Sequence, residues 1–205
     1  MFGLKTSTKN KYSQFLPALL SAVLVLSTLL GTGITAYADE EAEARLAEHR
    51  AMTVESNEIF NWPDGPIVGA ESAILMEVTT GTILYSKNIH EKQYPASTTK
   101  IMTALVAIKY GNTEDTIVCT RNVKIEESGA TVCGLKEGDT LTLNQALHAL
   151  LITSANDAAI AIAEHIGGSV EEFCNMMNEE ALAIGATNSH FMNPHGLTEN
   201  EHYVT

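Results

Sequence analysis

The longest hydrophobic segment of the chain, residues 15–30, lies close to its start. Lysines are the only charged residues before it, and Ala36-Tyr37-Ala38 follows it, with small residues at the two positions that a signal peptidase reads. This order of basic, apolar and small residues predicts a secretory signal peptide over residues 1–38. An uncleaved membrane anchor is the alternative, but the apolar run is somewhat short for a membrane span.

Polar and turn-forming residues dominate the next segment, 39–66. It begins with an acidic run and continues into Trp62-Pro63-Asp64-Gly65-Pro66, which is typical of a loop. We therefore interpret residues 39–66 as an acidic leader and linker, and residues 67–205 as the globular part. The formal net charge of -13 argues against a nucleic-acid partner, because phosphates would be repelled.

The globular part opens with a pattern typical of a β-hairpin. Residues 73–78 and 82–86 suit two strands, and Thr79-Thr80-Gly81 supplies the turn between them. A segment that is apolar almost all round then runs from Pro95 to Gly111, which predicts a buried helix.

Loops and short strands are expected over residues 113–141, and helices after them. Each helix has its own start or stop signal. We expect one after the Thr-x-x-Gln capping box at 142–145, one over 157–166 ending at Gly167-Gly168, and one from the Ser-x-x-Glu box at 169–172 to Gly185.

Ser97 and Lys100 open the apolar helix and are the first candidates for chemistry. Positions i and i+3 lie on one face of a helix, so the hydroxyl and the amine can meet. A serine becomes a good nucleophile when a base takes its proton, and burial lowers the pKa of a lysine enough for that role. The spacing carries little weight alone, because about one chance Ser-x-x-Lys match is expected in a chain of this size.

A second candidate group, Ser154-Ala155-Asn156, lies at the break between two predicted helices. Ser154 could relay a proton, and Asn156 could hold a substrate amide with both a donor and an acceptor. The alternative is structural, because either side chain would serve as the N-cap of the following helix.

The three cysteines, Cys119, Cys133 and Cys174, fit neither a zinc site nor a catalytic thiol. In an exported protein Cys119 and Cys133 could form a disulfide across two paired strands, and free buried thiols are the equal alternative. No metal ligands and no cofactor are predicted.

The amino-acid sequence around both candidate groups resembles that of the low-molecular-weight penicillin-binding proteins that are D-alanyl-D-alanine carboxypeptidases, peptidase family S11. The resemblance covers roughly residues 67–205 and is carried by the segments 95–104, 154–159 and 193–197, the last reading Asn-Pro-His-Gly-Leu. It implies an α/β (α+β) fold of the β-lactamase/transpeptidase type, with an antiparallel sheet flanked by helices and a mostly helical subdomain.

The resemblance also implies the roles of four residues. Ser97 would attack the peptide bond of D-Ala-D-Ala at the end of a peptidoglycan pentapeptide stem, and Lys100 would be its base. Ser154 would complete the proton network, and Asn156 would position the substrate. β-Lactam antibiotics would acylate the same serine as inhibitors. The protein would act outside the cytoplasm, and this chain encodes no membrane attachment apart from the signal segment.

The chain departs from the family pattern in one respect. No Lys-Thr-Gly triplet, the third motif of the family, occurs after Asn156. We interpret the chain as a C-terminally truncated copy, poorly active as it stands, with an incomplete sheet.

A class A β-lactamase would need a Glu-x-x-x-Asn pattern, and the nearest match, at Glu179-Glu180, lacks the asparagine. A penicillin- or wall-binding module without catalysis is the non-enzymatic alternative. His195 is expected to order a loop rather than act as a base.

Overall fold

A computed structural model describes residues 40–205 of the chain. The predicted signal peptide, residues 1–38, lies outside the described residues. The described part divides into two compact units, and the division falls after Asn88. In this part of the chain no helix has the length and apolar character needed to cross a membrane.

The first unit contains a helix and the expected hairpin. Helix α1 covers residues 40–51, and strands β1 and β2 cover Ala73–Met76 and Ile83–Lys87. The strands pair antiparallel, with a bulge after Leu75. The hairpin prediction is therefore confirmed, with its strands within about two residues of the expected limits.

Part of the segment interpreted as an acidic leader and linker, residues 40–51, forms helix α1. This stretch is acidic, but it is also rich in Ala, Glu, Leu and Arg, which are strong helix formers. Glu41 and Arg45 stand four residues apart in the favourable order for a helical pair. Buried Lys87 also donates hydrogen bonds to the carbonyl oxygens of His49 in α1, and of Val68 and Ala70 in the following segment.

The second unit consists mainly of helices. Its elements are α2 (Thr99–Tyr110), β3 (Thr116–Val118), β4 (Thr140–Thr142), α3 (Leu143–Ile152), α4 (Asn156–Gly167) and α5 (Val170–Ala183). Helix α4 lies among the others, and its residues 158–163 are all buried. The hydrophobic core forms where α4 packs against α2, α3 and α5, around side chains such as Val106, Leu150 and Phe173.

The ends of these helices follow the local sequence signals. Thr142 and Gln145 form both bonds of the predicted capping box before α3. Gly168 adopts a left-handed conformation after α4 with φ 77°, which a residue without Cβ tolerates best. The Ser169 side chain accepts the N–H of Glu172 before α5. The predicted fold class, helices with short antiparallel sheets, is confirmed in both units.

The pairing of the cysteine segments differs from the expectation. Strand β3, just before Cys119, pairs antiparallel with β4 over residues 140–142, while Cys133 lies in an irregular segment. All three cysteines of the described residues are free thiols, Cys119 and Cys174 buried and Cys133 exposed. Of the two alternatives, the Cys119–Cys133 disulfide is therefore not formed, because residues 140–142 supply the strand that pairs with the segment before Cys119.

Candidate active site

Ser97 lies in a turn of 3₁₀-helix, Ala96–Thr98, that leads directly into α2. The prediction that it opens the α-helix is thus correct to within one turn, and its side chain is exposed. Ala96 has a positive φ of 47°, a conformation that is uncommon for a residue with a Cβ atom. This kink directs the chain into the turn that presents Ser97.

Lys100 lies one helical turn further on and is buried, with 3% of its surface exposed. Its Nζ atom donates to Ser97 Oγ at 3.2 Å and to the carbonyl oxygen of His195 at 2.8 Å. No carboxylate of the described residues forms an ion pair with it. Burial lowers the pKa of the Lys100 ammonium below its usual value, which favours the neutral amine that a general base requires.

Ser154 completes a group of three polar side chains. Its Oγ donates to Ser97 Oγ at 3.0 Å, although the two residues are 57 positions apart in sequence. The backbone of Ser154 is left-handed, with φ 58°. The N-cap of α4 is Ala155, which makes no side-chain capping bond. The capping role considered for Ser154 and Asn156 is therefore wrong, and Ser154 faces the nucleophile instead.

Asn156 is the first residue of α4 and is buried, with 4% of its surface exposed. Its backbone N–H donates to the carbonyl oxygen of Thr131 at 2.8 Å. Its side-chain amide forms no hydrogen bond to another described residue. An amide that has both donor and acceptor capacity available is suited to binding a ligand with a peptide group.

Asp157, which the sequence reasoning did not single out, fixes the segment next to Asn156. Its carboxylate accepts the backbone N–H groups of Cys133, Gly134 and Leu135 at 3.0, 2.8 and 2.9 Å. Burial acts to raise the pKa of this carboxyl, but the N–H donors outweigh it and hold the pKa below its usual value. These hydrogen bonds join the start of α4 to the irregular segment 131–135. In the sequence, only the position of Asp157 next to Asn156 could have drawn attention to this carboxylate.

The loop Asn193-Pro194-His195-Gly196-Leu197 supports the lysine from the other side. Asn193 Oδ1 accepts the N–H of Gly196 at 2.7 Å, and Thr103 in α2 donates to the carbonyl of Pro194 at 2.6 Å. His195 Nδ1 accepts the N–H of Leu197 at 3.1 Å. Burial, together with Lys100 and His202, lowers the pKa of His195 to about 4. His195 is therefore neutral at pH 7 and orders the loop, in the role expected for it.

Gly196 lies against the backbone that precedes the nucleophile. A Cβ atom at this position would come within 1.8 Å of the carbonyl oxygen of Ala96. The backbone of Gly196 also has a positive φ of 86°. Both features require glycine, so the loop and the turn that carries Ser97 fit together only because position 196 lacks a side chain.

The arrangement has the parts of a serine acyl-transfer site. An exposed hydroxyl lies within hydrogen-bonding reach of a buried lysine and of a second serine, at the start of a helix whose core-facing residues fix it. Among residues 40–205 no group of His, Cys, Asp and Glu could hold a metal ion. The fold and the arrangement of Ser97, Lys100 and Ser154 are those expected from the resemblance to the penicillin-binding type.

Comparison with known proteins identifies the family. The sequence profile described as D-alanyl-D-alanine carboxypeptidase, peptidase family S11, matches residues 61–205. The chain belongs to this family.

Individual relatives agree with this assignment. D-alanyl-D-alanine carboxypeptidase DacF of Bacillus subtilis is 42% identical over 138 residues, which are 65% of this chain and 35% of that protein. DacD of Escherichia coli is 33% identical over 66% of this chain and 37% of its own length. The chain thus spans little more than a third of the length of these curated relatives.

Solved structures show the same fold. The crystal structure of the D-alanyl-D-alanine carboxypeptidase DacD from Francisella tularensis has a TM-score of 0.64 and 34% identity, over 72% of this chain and 36% of that one. Penicillin binding protein 6B from Escherichia coli has a TM-score of 0.67 and 31% identity, over 72% of this chain and 49% of that one. The predicted β-lactamase/transpeptidase-like fold is therefore confirmed.

Proposed function

We propose that the protein is a serine-type D-Ala-D-Ala carboxypeptidase that trims peptidoglycan stem peptides outside the cytoplasm. The observation that carries this proposal is the contact of one exposed hydroxyl, Ser97 Oγ, with both Lys100 Nζ and Ser154 Oγ. Its relatives, which are D-alanyl-D-alanine carboxypeptidases by name, support the substrate class. The basic, apolar and small residues of segment 1–38 support export.

Acylation would begin at Ser97. The neutral amine of Lys100 takes the Ser97 proton as Oγ attacks the carbonyl carbon of the penultimate D-alanine. The bond between that carbon and the nitrogen of the terminal D-alanine then breaks. The leaving amine receives a proton, and Ser154, hydrogen-bonded to Ser97 Oγ, is placed to pass it on.

Deacylation would use the same groups. A water molecule attacks the ester carbonyl, Lys100 accepts its proton, and the proton returns to Ser97 Oγ as the ester bond breaks. The available amide of Asn156 would hold the peptide during both steps. β-Lactams would acylate Ser97 by opening of their ring, with no leaving group to depart.

A fluorescent penicillin tests the assignment of Ser97. The full-length wild-type protein and its Ser189→Ala variant, a matched change of serine to alanine after α5, should be labelled covalently. Ser97→Ala should not be labelled, since the nucleophile is gone. Equal labelling of Ser97→Ala and the wild type would refute the assignment.

The β-lactamase alternative predicts a different lifetime of the acyl-enzyme. The glutamates nearest to its required pattern lie in α5, and buried Glu180 forms an ion pair at 2.5 Å with Lys109, which is exposed. This pairing leaves Glu180 poorly suited to activate water. A bound penicillin should therefore persist for minutes or longer, and rapid release of hydrolysed antibiotic would favour the lactamase.

A further inference from the structure

His202 joins the nucleophile's helix to the segment that leads to the His195 loop. Its Nε2 atom lies 2.8 Å from Thr99 Oγ1, and its Nδ1 atom lies 3.0 Å from the backbone nitrogen of Met192. The ring is buried, with 1% of its surface exposed, and packs edge-on against Phe191 at 5.7 Å between ring centroids.

These two hydrogen bonds determine the protonation state of the ring. A backbone N–H can only donate, so Nδ1 of His202 must be the unprotonated acceptor toward Met192. The neutral ring then carries its proton on Nε2 and donates it to Thr99 Oγ1. A charged ring would carry a second N–H on Nδ1, directed at the N–H of Met192, and that hydrogen bond would be lost.

The two partners of His202 belong to the two segments that hold Lys100. Thr99 begins α2 between Ser97 and Lys100 in sequence. Met192 precedes the loop whose His195 carbonyl accepts the hydrogen bond from Lys100 Nζ. One buried ring therefore connects both segments that hold the lysine, at a separation of 103 residues between Thr99 and His202.

We propose that His202, in its neutral Nε2–H form, is a positioning residue that holds Lys100 between Ser97 and the His195 carbonyl. The residue acts through Thr99 and Met192 and does not touch the reacting atoms. For its effect on rate, this inference rests on the proposed acylation of Ser97. Its effect on structure stands independently of that function.

Burial and the neighbouring basic groups favour the neutral ring. His190 and His195 flank it along its own segment, and Lys100 lies in the first turn of α2. Each of these groups is basic, and the nearby carboxylates of Glu199 and Glu201 are on exposed residues. Burial, and then His190, lowers the pKa of His202. Acidification through that lowered pKa should break the contact to Met192 and loosen the hold on Lys100.

Three variants of the full chain test the proposal through the acylation rate with a fluorescent penicillin. His202→Leu and Thr99→Val each remove the hydrogen bond to α2 and should slow acylation roughly tenfold. His202→Gln should rescue most of the rate at about pH 8, because its amide can accept from Met192 and donate to Thr99. His148→Gln, an exposed change on α3, is the matched control and should leave the rate unchanged.

The pH profile separates positioning from simple structural support. The wild-type rate should fall on acidification through two groups, Lys100 and His202. His202→Gln should lose the second decline, because a glutamine does not titrate. Equal rates for the Leu and Gln variants would overturn the proposal, and so would an acid limb that is identical in the wild type and His202→Gln.

A measurement without penicillin keeps the inference separate from the proposed function. Nitrogen-15 NMR of the histidine rings in the full chain should show His202 as the neutral Nε2–H tautomer at pH 7. A charged ring or the Nδ1–H tautomer would overturn the inference whether or not Ser97 reacts. A wild type that is never labelled by penicillin, with the expected tautomer present, would refute the function and retain the structural link.

Discussion

Replacing Gly196 with alanine should disturb the nucleophile through a backbone contact rather than through chemistry. The new Cβ would stand 1.8 Å from the carbonyl oxygen of Ala96 and 2.4 Å from its carbon. No flexible side chain is available to move away, because both atoms belong to the backbone. Ala96 immediately precedes Ser97 and already has a positive φ of 47°, so it has little freedom to rotate.

Two costs add for this variant. Placing a Cβ in the left-handed region costs about 1–2 kcal/mol, and relieving overpacking typically costs about 1–3 kcal/mol. We expect the free energy of unfolding to fall by about 2–5 kcal/mol, a large share of a typical domain's stability. A displacement on the order of 1 Å at the turn should slow acylation of Ser97 by about a hundredfold.

Gly185→Ala is the matched control for this change. Gly185 also has a positive φ, 92°, but a Cβ there would meet nothing within 4 Å. It should therefore lose only the conformational part, about 1–2 kcal/mol, and acylate at the wild-type rate. Urea unfolding gives the stabilities and a time course with fluorescent penicillin gives the rates. The reasoning is refuted if Gly196→Ala matches Gly185→Ala in stability and the wild type in rate.

Two further predictions concern buried charge. Asp157→Asn should lower the free energy of unfolding by about 2–3 kcal/mol, because the charged acceptor of three backbone N–H groups is lost; exposed Asp139→Asn should cost far less in the same urea assay, and equal losses would contradict this. Stability should also decline as pH falls from about 6.5 to about 4, since neutral, buried His195 takes up its proton less readily than in the unfolded chain. The loss is up to about 3 kcal/mol, reduced by partial exposure of the ring. His195→Gln should flatten that slope in urea titrations at stepped pH, and an unchanged slope would assign it to other groups.

The secondary structure followed local signals closely because those signals act within a few residues. The capping box at Thr142, the stop at Gly168 and the hairpin turn near Gly81 each satisfy backbone groups of their immediate neighbours. Helix α1 was not predicted, because the acidic composition of its residues was given more weight than their helix propensity. The sequence could not decide between a Cys119–Cys133 disulfide and free thiols, because pairing of distant strands is not encoded by the apolar pattern of either strand alone.

The contact between Ser97 and Lys100 could be predicted from the sequence, because residues three positions apart lie on one helical face. Ser154 was assigned its role from the resemblance of the chain to a family. Only the tertiary structure decides whether its side chain caps α4 or faces Ser97. Ser154 turns toward Ser97 through a left-handed backbone conformation that no local residue preference favours.

The sequence by itself therefore determined the helices after Pro95, their approximate limits and the contact between Ser97 and Lys100. The tertiary structure alone decided what surrounds them: the Asp157 bonds to segment 131–135, the close approach of Gly196 to Ala96, and the bridge from His202 to Thr99. These contacts join residues from 22 to about 100 positions apart. Periodicity and capping act over one or two turns, so they cannot specify contacts that form only when separate segments pack together.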